Sequence, residues 1–420
     1  MAMRRIGIVV GGGPAPGTNA VIAAAAIEAV KLGRVPIGFR DGLQWLAQRY
    51  TDEQEELTIA DVARTHLTGG VMLRSSRTDV GADPALLRNT VDALRKLAID
   101  GLVAIGGDDL VHSVMAIERE SQGRIKCVMV PKTIDNDLGV PDEIVTLGYE
   151  TARHVGVQVV ANLMEDARTT GRWYLGVTMG RPTGHLTLGI GKAASATCTI
   201  IPEEFGPGPV RLADIADIVE GSIIKRRALG RKYGMVLLSE ALVERFDPAE
   251  VAELQDVDRD AQGNIRVTEI DLGRKVQNAV TLRLEKRGIK VSVVNKTIGY
   301  ELRCAAPLPM EAEYGRDLGY AAVRHLVGGG GGSVVTIRGG APRFVPLTDC
   351  VDPVTGRGRQ RAVDVTGDNY QVARAYMIRI EPGDLTDDAM GATLARAGAL
   401  EPDELRRHFA GLTAAPGARR

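Results

Sequence analysis

At 420 residues, 44% hydrophobic and 25% charged, the chain has an ordinary globular composition and the length for roughly two or three domains, which excludes disorder, collagen and coiled coil. Lysine and arginine total 52 against 53 acidic residues, a formal charge of -1, so no global basic surplus invites nucleic acid or an anionic membrane, and phosphate binding must be local. No apolar run approaches the ~18 residues of a membrane span and the first ten residues lack the layout of a signal peptide, which predicts a cytoplasmic protein.

Apolar runs rich in Val, Ile and Leu predict strands buried on both faces: Ile6 to Val10, Gly101 to Ile105, Cys127 to Val130, Tyr174 to Thr178, Met235 to Leu238, Val291 to Val294 and Val334 to Ile337. Between them lie helical stretches, Asn19 to Leu32, Pro84 to Leu97, Thr151 to Glu165, Val210 to Ile223, Asp271 to Arg287 and Glu313 to Val327. The alternation predicts an α/β fold of parallel sheets wrapped by helices, in two blocks, with ligands where strand ends feed glycine-rich turns and helix N-termini. Leu254 to Glu269 reads as an exposed hairpin or insertion, Gly328 to Gly332 as a mobile connection, and the chain beyond Pro382 as a peripheral helix with a mobile end. The cysteines Cys127, Cys198, Cys304 and Cys350 show no CxxC spacing and read as buried free thiols.

The 50 glycines collect at the ends of the apolar runs, which points to ligand-binding turns. The first strand ends in Gly11-Gly12-Gly13-Pro14-Ala15-Pro16-Gly17-Thr18-Asn19, ahead of an alanine-rich helix. Its amides suit a phosphate, because glycine permits close approach and the helix dipole favours an anion; a plain tight turn fits equally, and neither GxxxxGK[ST] nor GxGxxG is matched. Gly106-Gly107-Asp108-Asp109 follows a second strand end. Two adjacent carboxylates there suit a magnesium ion, which takes few protein carboxylates and keeps its water, whereas a helix cap needs only one acid.

Pro131-Lys132-Thr133-Ile134-Asp135-Asn136-Asp137 follows the third strand end. It concentrates a cation, a hydroxyl and two carboxylates beside a buried strand, so that an Asp can accept a substrate hydroxyl's proton while Lys132 neutralises a transferring phosphoryl group. Met179-Gly180-Arg181 ends another strand, where an arginine holds phosphate oxygens bidentately or stands on a solvated face.

Together GGGPAPGTN, GGDD, PKTIDND and MGRPTGH, in this order and near these separations, closely resemble the phosphofructokinases from about Arg5 to about Val365. The resemblance implies two Rossmann-like three-layer α/β domains with mainly parallel sheets and an active site in the cleft between them. Residues 1–147 plus about 302–350 are expected to bind the phosphoryl donor, 148–301 plus about 351–385 the sugar phosphate, and 386–420 to form a peripheral extension. The implied reaction is phosphoryl transfer to the 1-hydroxyl of fructose 6-phosphate, with Mg2+ as cofactor.

Residue by residue, Asp135 resembles the family's catalytic base, with Thr133, Ile134 and Asp137 beside it around the sugar and the metal. Asp108 resembles the magnesium-associated carboxylate, Gly12 a glycine contacting the donor, and Arg77 in LRSSRTD an arginine bridging donor and acceptor phosphates. Met179, Gly180 and Arg181 match the substrate-binding MGR, Glu240 a carboxylate on the sugar hydroxyls, and Tyr300 with Arg303 the pair on the 6-phosphate; many ATP-using members carry His in place of Tyr300. Arg172, seven residues before Met179, matches an arginine supplied by a neighbouring subunit, which implies a homodimer or homotetramer.

The family divides by donor. ATP-using members usually have Gly where this chain has Asp109, whose carboxylate would crowd and repel the α-phosphate region, and Lys132 suits a pyrophosphate leaving group, although some ATP-dependent relatives share it. The pair resembles the pyrophosphate-dependent branch, whose reaction is reversible and fits glycolysis and gluconeogenesis alike. The alternatives are an ATP-dependent enzyme tolerating Asp109, an acceptor such as sedoheptulose 7-phosphate, a non-catalytic sugar-phosphate-binding subunit, and an NAD-kinase-like enzyme, in which PKTIDND and MGR would have no role.

Overall fold

The computed structural model describes residues 3–140, 144–253, 270–353 and 358–413. The chain divides into two α/β units, Met1–Ala152 with Tyr300–Arg361, and Arg153–Gly299 with Ala362–Arg420. Along the described chain the strands are β1 Arg5–Val10, β2 Val35–Phe39, β3 Gln54–Glu56, β4 Gly101–Gly106, β5 Lys126–Thr133, β6 Leu147–Gly148, β7 Trp173–Thr178, β8 Cys198–Ile200, β9 Gly234–Ser239, β10 Val293–Ile298, β11 Ser333–Arg338 and β12 Ala341–Pro346.

In the first unit the strand order is β12-β11-β5-β4-β1-β2-β3, with β6 paired to β5. The neighbours from β11 to β2 run parallel, and the outer pairs β11–β12 and β2–β3 are antiparallel. Alternate residues of the central strands face opposite ways. Ile6, Ile8, Val10, Val103, Ile105, Val128 and Val130 join helices Thr18–Lys31 and Pro309–Val327 in one apolar layer. Val9, Leu102, Ala104, Cys127 and Met129 meet helices Pro84–Lys96 and Asp108–Glu120 in the other. Burial of both faces is why these strands read as unbroken apolar runs. The sequence reading missed β2, which Pro36 and Gly38 interrupt, and β12, an outer strand whose residues are partly or wholly exposed. Because β1, β4 and β5 are parallel neighbours, the three turns that follow them arrive at one edge of the sheet.

The second unit holds a parallel sheet of order β10-β7-β9-β8. The strand predicted over Val291 to Val294 forms as β10, starting at Val293, and its polar Asn295, Lys296 and Thr297 pair with Leu175, Gly176 and Val177. An outer strand with a partly wetted face carries no apolar run there to announce it. Helices Leu212–Ala228 and Leu272–Lys286 supply Ile215, Val219, Val276 and Val280 to the core around Leu175, Val236 and Leu238.

The C-terminal helices, expected to be peripheral, are built into the second unit. Leu405 and Phe409, both 0% exposed, share an apolar cluster with Ile224, Ile380 and Leu394. Polar contacts reinforce the seat. His408 Nε2 lies 3.2 Å from Glu220, a fully buried carboxylate that also meets Arg287 at 3.0 Å, while Lys225 pairs with Asp384 at 2.6 Å. An ion that deep is tolerated because it is paired.

The Gly328–Gly332 stretch, read as mobile, is a bonded turn. Gly329 and Gly330 donate to the carbonyls of Leu326 and His325, the Gly332 N–H donates to Glu118, and its carbonyl accepts from Leu347. Cys127, Cys198 and Cys350 are buried as expected, but Cys304 is exposed. The readings made on 254–269 and on the last seven residues, 414–420, lie outside the described residues. Among the described residues no helix is long and apolar enough to cross a membrane.

Truncating Phe409 to Ala is expected to cost about 3–5 kcal/mol, seen as a lower urea midpoint at unchanged slope. An unchanged midpoint would return the C-terminal helices to a peripheral role.

Candidate active site

The turn after β1 is fixed by its own amides. Gly11 donates to Ile105 O and Gly12 to Ser76 O, each at 2.9 Å, so the Gly12 N–H expected to face the donor is already bonded to protein. Gly12 sits at φ 78, a left-handed conformation that an L side chain adopts only with strain. Gly17 occupies the cap of helix Thr18–Lys31 with no side-chain cap and no acid in the first turn, so the start of that helix retains its positive end.

Lys132, at the end of β5 and 2% exposed, reaches across to this turn. Its Nζ donates to Gly11 O at 2.8 Å and to Gly13 O at 2.5 Å. Burial pulls its pKa down to about 7; the cations Arg303 and Arg77 push in the same direction, and Asp135 opposes them. Arg77 is exposed and follows Ser76, which forms an isolated parallel bridge with Gly11. A β-carbon added to Gly13 would lie 3.4 Å from the Arg303 guanidinium carbon, which also stands 5.2 Å from the centre of the Tyr300 ring. Tyr300 and Arg303 thus meet as a pair, and Arg303 stands against the glycine turn, a neighbour that no motif in the chain announces.

The acids gather on the same edge. Gly107 takes the cap position of helix Asp108–Glu120, so Asp108 and Asp109 occupy its first two positions. After β5 the Asp135 amide donates to the Thr133 hydroxyl at 3.1 Å, and Asn136 turns the chain at φ 55, a conformation its short amide tolerates. Asn136 Oδ1 accepts the Thr146 N–H at 3.1 Å, and the Thr146 hydroxyl donates to Thr133 O at 2.8 Å. The Ile134 side chain is 4% exposed, so only its main chain is available to a ligand.

Asp137 is 8% exposed, and its pKa is raised to about 8, first by burial and then by the charges of Asp135 and Asp108. Three interacting carboxylates, one of them with its pKa raised by burial and by its acidic neighbours, fit a hard divalent cation. They do not form a preformed cage. Among the described residues, metal-type groups of three converge within 4.8 Å only at Asp217, Glu220 and His408, where Arg283 and Arg287 already supply the counter-charge. An open acidic set suits magnesium, which keeps several waters and takes further oxygens from a substrate phosphate.

The second unit positions a different group. Adjacent β7 and β9 pair Thr178 with Ser239, so the segments leaving both strands start side by side. Met179 donates to Ile298 O at 2.9 Å, and Arg181 Nε lies 2.8 Å from Glu240, with Glu244 3.7 Å from Nη1. Sequence reasoning missed Glu244, and Glu203, which is mostly buried and whose Oε1 accepts the amides of Gly184 and Val363 at 2.9 and 3.1 Å, tying down the end of MGRPTG. Arg172 is not part of this group. It precedes β7, whereas Met179 follows it, and six strand residues separate the two by about 20 Å. Its guanidinium faces Asp166 at 3.9 Å.

Comparison with known proteins follows the same lines. The phosphofructokinase family profile matches residues 5–326. A pyrophosphate–fructose 6-phosphate 1-phosphotransferase of Thermotoga maritima is 45% identical over 96% of this chain and 98% of its own. One from Naegleria fowleri is 42% identical over 96% and 94%. Among solved structures, the pyrophosphate-dependent phosphofructokinase from Nitrosospira multiformis aligns with a TM-score of 0.68 at 15% identity, over 94% of this chain and 91% of that one, a likeness of fold.

The raised pKa of Asp137 has a thermodynamic sign. The folded chain keeps a proton that the unfolded chain releases near 3.8, so the stabilisation present at low pH is lost as pH rises through about 8. Asp137→Asn removes this titration, and in metal-free buffer the variant is expected to outlast the wild type in thermal unfolding by a margin that widens from about pH 5 to about pH 8.5. A margin independent of pH would place the proton elsewhere.

Proposed function

The chain belongs to the phosphofructokinase family, and we propose that it transfers a phosphoryl group reversibly from pyrophosphate to the 1-hydroxyl of fructose 6-phosphate, giving fructose 1,6-bisphosphate and phosphate. The observation that carries this reading is the meeting of Lys132, Arg77 and the glycine turn with Asp108, Asp135 and Asp137 on one edge of the first unit's sheet.

Transfer of this kind asks little covalent chemistry of the protein; it needs positioning and charge. Asp135, braced through its amide by Thr133, accepts the proton of the attacking hydroxyl. Lys132 has two N–H groups on loop carbonyls and a third for the departing phosphate, while Arg77 and Arg303 add charge beside the Gly11–Gly13 turn. Asp108, next to Asp135 and Asp137, would hold magnesium, which supplies positive charge at the donor oxygens. In the second unit Arg181 and Glu240 recognise the sugar phosphate, Glu240 on hydroxyls and Arg181 on phosphate oxygens, after giving up the ion pair they now share. Arg172 serves a neighbouring subunit, because β7 carries it away from Met179 within its own chain.

Donor choice rests on Asp109 and Lys132. Purified protein with magnesium and fructose 6-phosphate is expected to turn over with pyrophosphate and not with ATP. Lys132→Gly should reduce pyrophosphate turnover roughly a hundredfold or more, and Asp109→Gly should admit ATP weakly. Turnover with ATP alone would overturn the donor assignment. Failure of Asp109→Gly to use ATP would remove that residue as the gate.

The subunit assignment of Arg172 has its own test. Mixing Asp135→Asn with Arg172→Ala protein under conditions that exchange subunits should restore about a quarter of wild-type activity in a dimer, because half of the molecules are mixed and each of these rebuilds one site of two. No restoration would place Arg172 in the site of its own chain.

A further inference from the structure

Gly358 to Arg361, in a segment to which the sequence motifs assign nothing, run alongside the acidic turn of the first unit. The contacts are specific. The Arg361 N–H donates to Asp137 O at 2.6 Å, and its Nη2 donates to Asn136 O at 2.8 Å. Gly139 donates to Arg359 O at 2.7 Å, and Leu138 forms an antiparallel bridge with Gln360. At the start of the same segment Gly358 rests on the third carboxylate residue: a β-carbon there would lie 2.7 Å from Asp108 Cβ and 2.9 Å from its Cα, so nothing larger than glycine fits without moving Asp108.

We propose that Arg361 is a positioning residue for phosphoryl transfer, and that Gly358 to Arg361 act as a strap setting the spacing of Asp108, Asp135 and Asp137. One residue grips two consecutive carbonyls, one with its main chain and the other with its guanidinium. That fixes the peptide planes on either side of Asp137, and with them the direction in which its carboxylate leaves the backbone. Asn136 is held on its other side by Thr146, so the turn is clamped from both sides. A turn with a left-handed residue between two acids holds its conformation only where its surroundings fix it, and the strap supplies part of that hold. Because an error of about 1 Å in a reacting group can cost a hundredfold in rate, the strap acts on turnover more than on binding.

This inference rests on the phosphotransferase reading of the site, and its test separates the two. Arg361→Met keeps the aliphatic stem and the main-chain bond and loses the guanidinium contact with Asn136 O. Its kcat is expected to fall roughly 10- to 100-fold, with KM for fructose 6-phosphate and for pyrophosphate each within about threefold of wild type. Arg361→Lys, which keeps a charged donor, should recover part of kcat. Gly358→Ala should raise the magnesium concentration for half-maximal rate several-fold and leave KM for the sugar phosphate unchanged. Should Arg361→Met fail to fold, Arg361→Lys and Gly358→Ala carry the test. Wild-type kcat in Arg361→Met, or in either Arg361 variant a loss of rate carried wholly by KM, overturns the positioning role. An unchanged magnesium requirement in Gly358→Ala overturns the strap's hold on Asp108. A wild-type protein inactive with every phosphoryl donor would instead sink the reading of the site itself.

Discussion

An ammonium group almost sealed from water joins two strands of the first unit. Lys132 leaves the end of β5, passes β4, and bonds the carbonyls of Gly11 and Gly13 beyond β1. A cation buried to this degree is tolerated only with its partners in place, so the glycine turn, the lysine and the neighbouring acids stand as one assembly. The turn in turn orients the start of helix Thr18–Lys31 and lies against Arg303. Much of what this edge offers a ligand depends on that pair of hydrogen bonds.

The assembly contains two sets of like charge. Burial, and then Arg303 and Arg77, push the proton off Lys132, while burial, and then Asp135 and Asp108, push one onto Asp137. Each set is relieved by a partner of opposite sign: a polyanion for the cations, a divalent ion for the acids. The edge is complementary to a metal-bound phosphate as a pair, more than to either alone. A donor without base or ribose has little else to offer, and its binding must come from such charges. The second unit pairs opposite charges directly, Arg181 with Glu240.

Much of this was legible in the chain. Strands buried on both faces left continuous apolar runs, and the turns that follow β1, β4 and β5 announced themselves by residue type: glycines, then paired acids, then a lysine among acids. Where the residues point was less legible. Gly12 matches a glycine that contacts the donor, and nothing local tells that its own N–H is taken by Ser76, sixty-odd residues away. The resemblance of GYELR implies a sugar-phosphate role for Arg303, and no local pattern tells that its guanidinium lies against Gly13. Arg361 and Glu203 act on turns far from them along the chain, and no local pattern encodes a partner that only the fold brings near. Asn136 is the exception: an Asn between two Asp residues carried the signal of a left-handed turn in its own type.

The proton that Asp137 holds near neutrality ties metal occupancy to acidity. A divalent cation entering among the three carboxylates must expel that proton, so loading releases acid to the medium and an acidified medium works against loading. Were magnesium to bind there, metal and proton would compete for one place, and apparent magnesium affinity would follow the surrounding pH. Acidification would then weaken metal loading by mass action on a single buried carboxyl group, with no dedicated effector.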